Sequence, residues 1–205
     1  MPMPAEKPPP MQMHTSFERE GVTDKVVFGV VGDSTFFHSG MTGAAEIIYN
    51  NGRMIPCVLD NRITGMTGHQ ENPGTGYTLQ GDPAPMQSVE AIFKTFGYDP
   101  VYTVDPQDLK AMKETADNAV AALNEGKHPA IVTRRPCLLI KRVKREPAVC
   151  KVNTDKCKAC RSCLKVGCAA VSLVNGKACI DQTQCVGCTV CAQACPFDAF
   201  VKEEK

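Results

Sequence analysis

Near the end of the chain, cysteines occur at a spacing typical of iron–sulfur ligands. Cys185, Cys188, Cys191 and Cys195, followed by Pro196, form the pattern C-x2-C-x2-C-x3-C-P. In proteins with two clusters, three thiolates of such a run hold one cubane and the fourth reaches the other. The pattern therefore predicts 4Fe-4S chemistry, the transfer of single electrons.

An earlier cysteine run repeats this pattern. It is spaced C-x2-C-x2-C-x4-C, with one extra residue before its last cysteine and Ala169 in place of the proline. If the fourth cysteine of each run crosses over to the other cubane, both clusters are complete. The predicted ligands are Cys157, Cys160, Cys163 and Cys195 for cluster 1, and Cys168, Cys185, Cys188 and Cys191 for cluster 2.

Zinc is the alternative interpretation of these runs, because paired C-x2-C knuckles also form all-thiolate zinc sites. Zinc ribbons use two separated pairs, whereas this chain has two triplets, each with a distant fourth cysteine, so the spacing favours cubanes. The four remaining cysteines lie outside both runs, and we expect small, buried, hydrophobic side chains there. They are Cys57, Cys137, Cys150 and Cys179.

A second group of polar residues follows two apolar runs in the first half of the chain. Gly32-Asp33-Ser34 ends one predicted strand, and Leu59-Asp60-Asn61 ends the next. Ligands bind at the carboxyl ends of parallel strands, and carboxylate and amide oxygens suit a Mg²⁺ ion that also holds phosphate. Asp and Asn also form ordinary turns at strand ends, so spacing alone leaves both interpretations open.

The elements that would position these residues follow an alternating pattern. From Val26 to Pro136, short β-rich runs alternate with helical ones, which predicts an α/β fold with a parallel sheet covered on both faces. A long helix is predicted from about Pro106 to Glu125, with Asp105 near its N-cap and Gly126 just past its end. Its apolar stripe comprises Leu109, Met112, Ala116, Val120 and Leu123.

The cysteine-rich half carries short strands around VSLV and KACI, joined by a turn at Asn175-Gly176. Together with the repeated cysteine run, this pattern indicates a small α+β ferredoxin-like domain. We therefore divide the chain into four parts. They are a flexible lead (1–22), an α/β module (23–136), a basic linker (137–148) and a ferredoxin-like domain with two 4Fe-4S clusters (149–205).

Basic residues concentrate where the two halves join. Seven Lys or Arg accompany a single acidic residue, Glu146, between Arg134 and Lys151. The stretch is either a solvated connector or a docking patch for an acidic partner or a phosphate-bearing substrate.

Composition limits the remaining possibilities. The 205 residues carry a formal net charge of +1, which does not favour binding to nucleic acid or to a membrane surface. The sequence has neither a membrane-length apolar run nor the apolar core of a signal peptide. We expect a cytoplasmic protein in which most of the twelve cysteines crowd into the last third of the chain, a density that indicates metal binding rather than disulfides.

The first half also resembles a known family. The stretch GDSTFFHSGMTGAAEIIYNNGRMIPCVLDNRITGMTGHQENPGTG is similar to the thiamine-diphosphate-binding module of 2-oxoacid:ferredoxin oxidoreductases of the indolepyruvate type. The similarity continues through TVDPQDLK, IVTRRPCLL and the first cysteine run. That family also ends in a dicluster ferredoxin domain, so the resemblance covers nearly all of the chain from Val26 onward.

The resemblance implies cofactor roles for individual residues. Mg²⁺ would be held by the Asp33 carboxylate, the Asn61 side-chain oxygen and the backbone carbonyl of Ile63. Ser34 replaces the second glycine of the commoner Gly-Asp-Gly motif, and Asp60 replaces the first asparagine of Asn-Asn. Residues near the diphosphate would be Gly32, Ser34 and Thr35, and those near the thiazolium ring would be His38, Met66, Thr67, Gly68 and His69.

The implied activity is the CoA-dependent oxidative decarboxylation of an arylpyruvate, with electrons passing singly through both clusters to an external ferredoxin. Implied partners are a smaller beta subunit and a pyrimidine-binding domain that carries the glutamate activating the cofactor. Family members have a further βα unit before the Gly-Asp strand, so we expect a module incomplete at its N-terminus. The alternative is a non-catalytic electron-transfer subunit whose α/β half is vestigial or serves only for docking.

Overall fold

The computed structural model describes Gly21 and residues 25–143 and 148–204. The chain divides into two compact units, the first ending at Ile140 and the second beginning at Lys141, with the short segment Gln107–Leu109 grouped with the second. The predicted lead 1–22, apart from Gly21, and residues 144–147 of the predicted linker lie outside the described residues. No described helix is long and apolar enough to cross a membrane.

A four-stranded parallel sheet forms the centre of the first unit, which confirms the predicted α/β class. The strand order is β1-β2-β4-β3. Gly32 pairs in register with Leu59, and Asp60 with Arg134, so the carboxyl ends of the strands share one edge. The strands are β1 (Val27–Gly32), β2 (Met54–Asp60), β3 (Val101–Val104) and β4 (Ala130–Arg134).

Helical segments connect these strands. Three consecutive pieces follow β1, namely α1 (Asp33–Thr35), a π-helical turn (Phe36–Gly40) and α2 (Met41–Tyr49). α3 (Val89–Phe96) precedes β3, and α4 (Leu109–Asn124) precedes β4. Ser88 caps α3 by accepting a hydrogen bond from the Ala91 N–H at 3.2 Å, which satisfies one of the free donors of its first turn.

The core of the first unit lies on both faces of the sheet. On one face the rings of Phe36, Phe93 and Tyr98 pack in tilted and edge-to-face pairs, with centroids 5.1 and 4.9 Å apart, and each such pair stabilises by about 0.5–1.5 kcal/mol beyond burial. The Tyr98 hydroxyl donates to the Ala44 carbonyl at 2.9 Å, so its buried polar atom is satisfied. On the other face α4 packs Leu123 against the sheet residues of β2 and β4.

Two details of the first unit differ from the sequence predictions. The helix predicted from about 106 begins at Leu109, so Asp105 is not near its N-cap but pairs with Arg135. Leu109 is 41% exposed rather than part of the apolar stripe, because it is the first residue of the helix. Gly126, at φ +81°, ends the helix as predicted.

The expectation that both faces of every strand are covered is wrong for β1 within the described residues. Phe28 and Val30 are 39% and 61% exposed. On this face α4 packs against residues of β2, β3 and β4, and those residues do not include any from β1. The edge strand β1 therefore exposes apolar side chains on this face of the sheet.

The second unit is a small α+β fold, as predicted. Strands around VSLV and KACI pair as an antiparallel hairpin, and its turn residues Asn175 and Gly176 have φ of 49° and 78°, as a two-residue hairpin turn requires. A second antiparallel pair joins β5 to β8. The elements are β5 (Ala148–Val152), a 3₁₀ helix (Ser162–Val166), β6 (Val171–Val174), β7 (Lys177–Ile180), α5 (Val190–Gln193) and β8 (Phe200–Glu204).

Candidate functional site

Asp33 lies where β1 passes into α1 and is only 3% exposed. Its carboxylate accepts hydrogen bonds from the Ser34 N–H at 2.8 Å and from the Asn72 side-chain amide at 3.2 Å. Burial raises the pKa of Asp33, and the hydrogen bonds from Asn72 and Ser34 offset only part of that rise. Asp33 is thus a buried carboxylate at the carboxyl edge of the sheet, and its hydrogen bonds compensate only part of the loss of solvation.

The other expected magnesium donors belong to the same hydrogen-bonded network. The Ser34 hydroxyl oxygen is 3.4 Å from both the Asp33 carboxylate and the Ile63 carbonyl oxygen, and 2.8 Å from the Thr64 hydroxyl. The Asn61 side-chain oxygen accepts from the Ile63 N–H at 3.0 Å. A carboxylate, an amide oxygen and a carbonyl oxygen are hard donors, so this set fits the chemistry of Mg²⁺.

A pocket of about 450 Å³ opens beside this network, a size usual for small-molecule sites. His38 and Thr35 line it, as do Ser34 and Asn72 of the network. The predicted loop from Met66 to His69 is not among its lining residues, and Met66 is fully exposed. The full lining comprises Ser34, Thr35, Phe37, His38, Thr64, Glu71, Asn72 and Pro73.

Gly74 allows close packing behind the pocket. A Cβ atom at this position would lie 2.8 Å from the Phe37 ring and 3.3 Å from the Asn72 side-chain oxygen. That oxygen accepts a hydrogen bond from the Gly74 N–H at 2.9 Å. The absence of a side chain at residue 74 therefore lets the Phe37 ring and the Asn72 amide occupy their places.

Asp60, at the end of β2, belongs to a buried ion network. It is 3% exposed and lies 2.7 Å from Arg134 Nε and 3.3 Å from Arg62 Nε. Arg134 also contacts Glu90 of α3 at 2.6 Å. Arg62 adopts a left-handed conformation at φ +61°, which is strained for a side chain of this kind and occurs directly beside Asn61.

Sequence reasoning missed Asn72. It is 39 residues from Asp33 along the chain, and its segment, ENPGTG, has the Pro and Gly content of an ordinary loop. The signal that could have identified it is a lone amide residue in a loop following the second strand end. Its contact with Asp33 depends on how that loop folds back.

The thiols predicted for cluster 1 line one pocket of the second unit. Cys157, Cys160, Cys163 and Cys195 all contribute to its wall. Backbone hydrogen bonds from Ala178 and Ala159 lower the pKa of Cys157, and Ser162 does the same for Cys160. Four thiols around one cavity, two of them favouring the thiolate, fit the donor set of a cubane.

Three of the four thiols predicted for cluster 2 also lie close together. Burial, together with neighbouring Cys150, Cys188 and Cys185, raises the pKa of Cys191 to about 12. Cys191 is therefore protonated at neutral pH, and binding of a cluster would release its proton. Cys168, the predicted fourth ligand, is exposed. In the described part of the chain, no three His, Cys, Asp or Glu side chains form a site for a metal ion.

The cysteines outside both runs fall into two classes. Cys57 and Cys150 are buried, as expected, whereas Cys137 and Cys179 are only partly buried. Cys150 is more than a hydrophobic filler, because its N–H donates to the Cys185 sulfur at 3.2 Å. Hydrogen bonds to ligand sulfurs are among the factors that set cluster potentials.

Two family models match the chain. Residues 11–133 match the thiamine pyrophosphate enzyme, C-terminal TPP binding domain, and residues 178–201 match a 4Fe-4S binding domain. The second match covers the later cysteine run, and the earlier run lies outside it.

The chain is also similar to the IorA subunits of indolepyruvate oxidoreductases from several organisms. It is 41% identical over 192 residues to indolepyruvate oxidoreductase subunit IorA of Pyrococcus abyssi, covering 90% of this chain and 29% of the relative. The same subunit of Thermococcus kodakarensis is 40% identical over 190 residues, or 89% of this chain and 29% of the relative. That of Methanothermobacter thermautotrophicus is 35% identical, over 93% of this chain and 30% of the relative. The chain thus spans less than a third of the length of these relatives.

Proposed function

Because the chain belongs to the thiamine pyrophosphate enzyme family, whose C-terminal TPP-binding domain it contains, we propose that it is the cofactor-anchoring and electron-conducting part of a 2-oxoacid:ferredoxin oxidoreductase. The substrate is indolepyruvate, the compound in the name of the relatives, or another arylpyruvate. Carbon dioxide leaves, CoA takes the acyl group, and two electrons leave singly to a ferredoxin. A pyrimidine-binding domain and a smaller subunit complete the enzyme.

The network around Asp33 is the observation that supports this proposal most strongly. We assign Mg²⁺ to the Asp33 carboxylate, the Asn61 amide oxygen and the Ile63 carbonyl. The Ser34 hydroxyl links the Asp33 carboxylate to the Ile63 carbonyl through contacts of 3.4 Å, and the Asn61 oxygen accepts from the Ile63 N–H at 3.0 Å. Gly32, Ser34 and Thr35 would lie against the diphosphate. A diphosphate bridged to protein by Mg²⁺ needs such hard donors at the carboxyl edge of a parallel sheet.

The residues of this chain bind and orient, and the cofactor supplies the chemistry of decarboxylation. Asn72 holds the Asp33 carboxylate in place through its amide, 3.2 Å away. His38 lines the pocket, which supports its proposed position near the reacting groups. We also propose that one loop lies near the thiazolium ring of the cofactor. This loop, which is exposed in the structure, consists of Met66, Thr67, Gly68 and His69.

The two clusters provide the route for electrons. We assign Cys157, Cys160, Cys163 and Cys195 to cluster 1, which is supported by their common pocket. The assignment of cluster 2 to Cys168, Cys185, Cys188 and Cys191 rests on the crossover rule, with electrostatic contacts among the last three in support. Thiolates at both sites would hold cubanes and pass single electrons.

The test of this function is magnesium-dependent uptake of thiamine diphosphate by the full chain together with the polypeptides that copurify with it. Asp33→Ala should abolish uptake, because it removes the only carboxylate among the proposed ligands. Asp117→Ala is the matched control, since Asp117 is an exposed helix residue that pairs with Lys113 alone among the described residues. The measurement is calorimetric titration with the cofactor, with and without Mg²⁺.

The rival function is electron transfer alone, with an α/β unit that is vestigial or serves only for docking. It predicts no thiamine diphosphate uptake by the complex. An unaltered cofactor affinity in Asp33→Ala would refute the magnesium assignment, and absence of uptake in the unmodified complex would refute the enzyme function.

A further inference from the structure

The two cysteine loops of the second unit differ in charge. The first, from residue 156 to 168, contains four basic residues and no acidic one, whereas residues 182–195 contain no charged side chain. Both loops have nearly the same cysteine spacing. The charges are therefore not a requirement of that spacing, and they need another explanation.

Four basic side chains surround the thiols of cluster 1. Lys158 and Arg161 line the same pocket as the four thiols, Lys165 interacts electrostatically with Cys160, and Lys177 with Cys157. All four are exposed. We refer to Lys158, Arg161, Lys165 and Lys177 as the basic rim.

The charges of the basic rim are directed to solvent rather than to acidic partners within the molecule. No salt bridge among the described residues joins the rim to an Asp or Glu side chain. The polar contact of Lys177 is instead the Thr154 carbonyl, at 2.6 Å. Unneutralised positive charge on a surface attracts a negatively charged partner.

Exposed apolar side chains accompany the rim. Phe197, which lines the cluster 1 pocket, is 42% exposed, and Leu164 is 36% exposed. An apolar centre with a polar or charged edge is the usual composition of a protein–protein interface. The surface therefore has the features needed to bind another protein close to cluster 1.

We propose that the basic rim is the docking surface for an acidic, one-electron carrier protein, so that cluster 1 is the point at which electrons leave the molecule. The inference rests on the proposed function, which supplies the electrons. It adds which of the two clusters faces the acceptor and which side chains recognise it. Attraction by the rim guides the carrier to a position in which its own redox centre approaches cluster 1.

This attraction has a characteristic salt dependence. Exposed charges are screened over about 8–10 Å at physiological ionic strength, so steering by the rim should weaken as salt is added. Complementary charge accelerates association by about 10- to 1000-fold, and most of that gain should disappear in high salt. The residual, salt-resistant binding would come from the apolar centre.

The test compares two triple variants of the full chain, each loaded with clusters and purified with its copurifying polypeptides. Lys158→Gln, Arg161→Gln and Lys165→Gln remove three charges from the rim. Lys94→Gln, Lys110→Gln and Lys113→Gln form the control, because they remove the same net charge from exposed positions on α3 and α4. The probe is an acidic dicluster ferredoxin, and its association rate is measured at low and high ionic strength.

The rim variant should associate at least about 10-fold more slowly than the unmodified protein at low salt, with a much flatter salt dependence, whereas the control variant should stay near the unmodified rate. Iron content must be equal in all three proteins. Equal slowing in both variants, or no slowing in either, would overturn the inference. So would a rim that binds the polyanion heparin but not the ferredoxin.

The outcome is separable from that of the proposed function. Thiamine diphosphate uptake should be the same in the rim variant and the unmodified protein, since the substituted residues all lie in the second unit. A failure of cofactor uptake with normal carrier binding would count against the enzyme function alone. Normal uptake with unaltered carrier binding in the rim variant would count against the docking surface alone.

Discussion

At the scale of single residues, burial of Asp33 makes its ionised form unfavourable, and the proposed Mg²⁺ would offset that unfavourable energy. Its pKa in the folded chain is raised above the usual value of 3.8 because the group is desolvated. A raised carboxyl pKa stabilises the fold below the unfolded pKa, and that contribution is lost as pH rises through the folded pKa. At neutral pH the ionised Asp33 therefore destabilises the metal-free chain, and bound Mg²⁺ would offset this.

Asn72→Ala should weaken magnesium-dependent cofactor binding most strongly at acidic pH. The substitution removes a hydrogen bond that lowers the Asp33 pKa, so the pKa rises further and protons compete with the metal at higher pH. Loss of a hydrogen bond to a charged group costs about 1.5–3 kcal/mol, which corresponds to roughly a 10-fold or greater loss of affinity. The measurement is cofactor affinity from pH 5.5 to 8.5.

Asn50→Ala is the control for this prediction, because Asn50 is an exposed asparagine whose side-chain amide donates hydrogen bonds to Glu46 and not to the proposed site. Its pH profile should match that of the unmodified protein. If Asn72→Ala weakens binding equally at every pH, the amide does not act through the Asp33 carboxylate.

Which residues lie together was predictable where spacing alone determines it and not where the fold determines it. The cysteine patterns predicted which thiols would gather, and four of them line one pocket. The contact of Cys150 with Cys185 joins residues 35 apart and has no spacing signal. Asp60 could be read from the sequence as a neighbour of the metal donor, but its partner Arg134 is 74 residues away.

At the scale of elements, largely buried ion pairs connect the end of β2 to β4 and α3. Asp60 on β2 is bridged through Arg134 on β4 to Glu90 on α3. Breaking one partner of a buried pair leaves the other charge uncompensated, which costs more than the pair itself contributes. The network therefore holds the strand end from which Asn61 and Ile63 extend.

Arg134→Ala should lower the free energy of unfolding of the first unit by about 2–4 kcal/mol, because among the described residues Asp60 would keep a single cationic partner, Arg62. The adjacent Arg135→Ala is the matched control. Arg135 forms an exposed pair with Asp105, both 41% exposed, so its loss should cost under about 1 kcal/mol. Urea denaturation of both variants measures the difference, and equal losses would show that burial of Asp60 is not decisive.

Element types were well predicted because the apolar patterns are strong, whereas element ends depended on local contacts. The parallel strands and the hairpin at Asn175-Gly176 match their patterns. The start of α4 did not, since Asp105 is drawn to Arg135 rather than to the helix. The exposed face of β1 was not predictable, because an apolar strand has the same sequence pattern whether or not a helix covers it.

At the scale of the whole molecule, the two units have separate hydrophobic cores. The core of the second unit includes Cys150, Cys163 and Cys191 among its few buried side chains. A core this small gives limited stability by itself, and clusters bound by its thiols would contribute folding free energy. The stability of this unit should therefore depend on iron.

Anaerobic reconstitution should yield about eight iron atoms and about eight labile sulfides per chain. Removal of iron with a chelator should lower the melting midpoint of the second unit by more than about 10 °C, since several kcal/mol are lost from a small unit, and leave that of the first unit unchanged. Calorimetry of the loaded and stripped chains measures both transitions. One tightly held zinc per chain, or a common shift of both transitions, would contradict this prediction.

Because residue 74 is a glycine, it also has a consequence for protein engineering. The Phe37 ring lines the pocket, and a Cβ at residue 74 would approach this ring to 2.8 Å and the Asn72 side-chain oxygen to 3.3 Å. A single methyl group at this position would force the ring to shift and so change the shape of the pocket, and it would also press on the amide that holds Asp33. Residue 74 is therefore the natural first target for redesigning the range of molecules that the pocket admits.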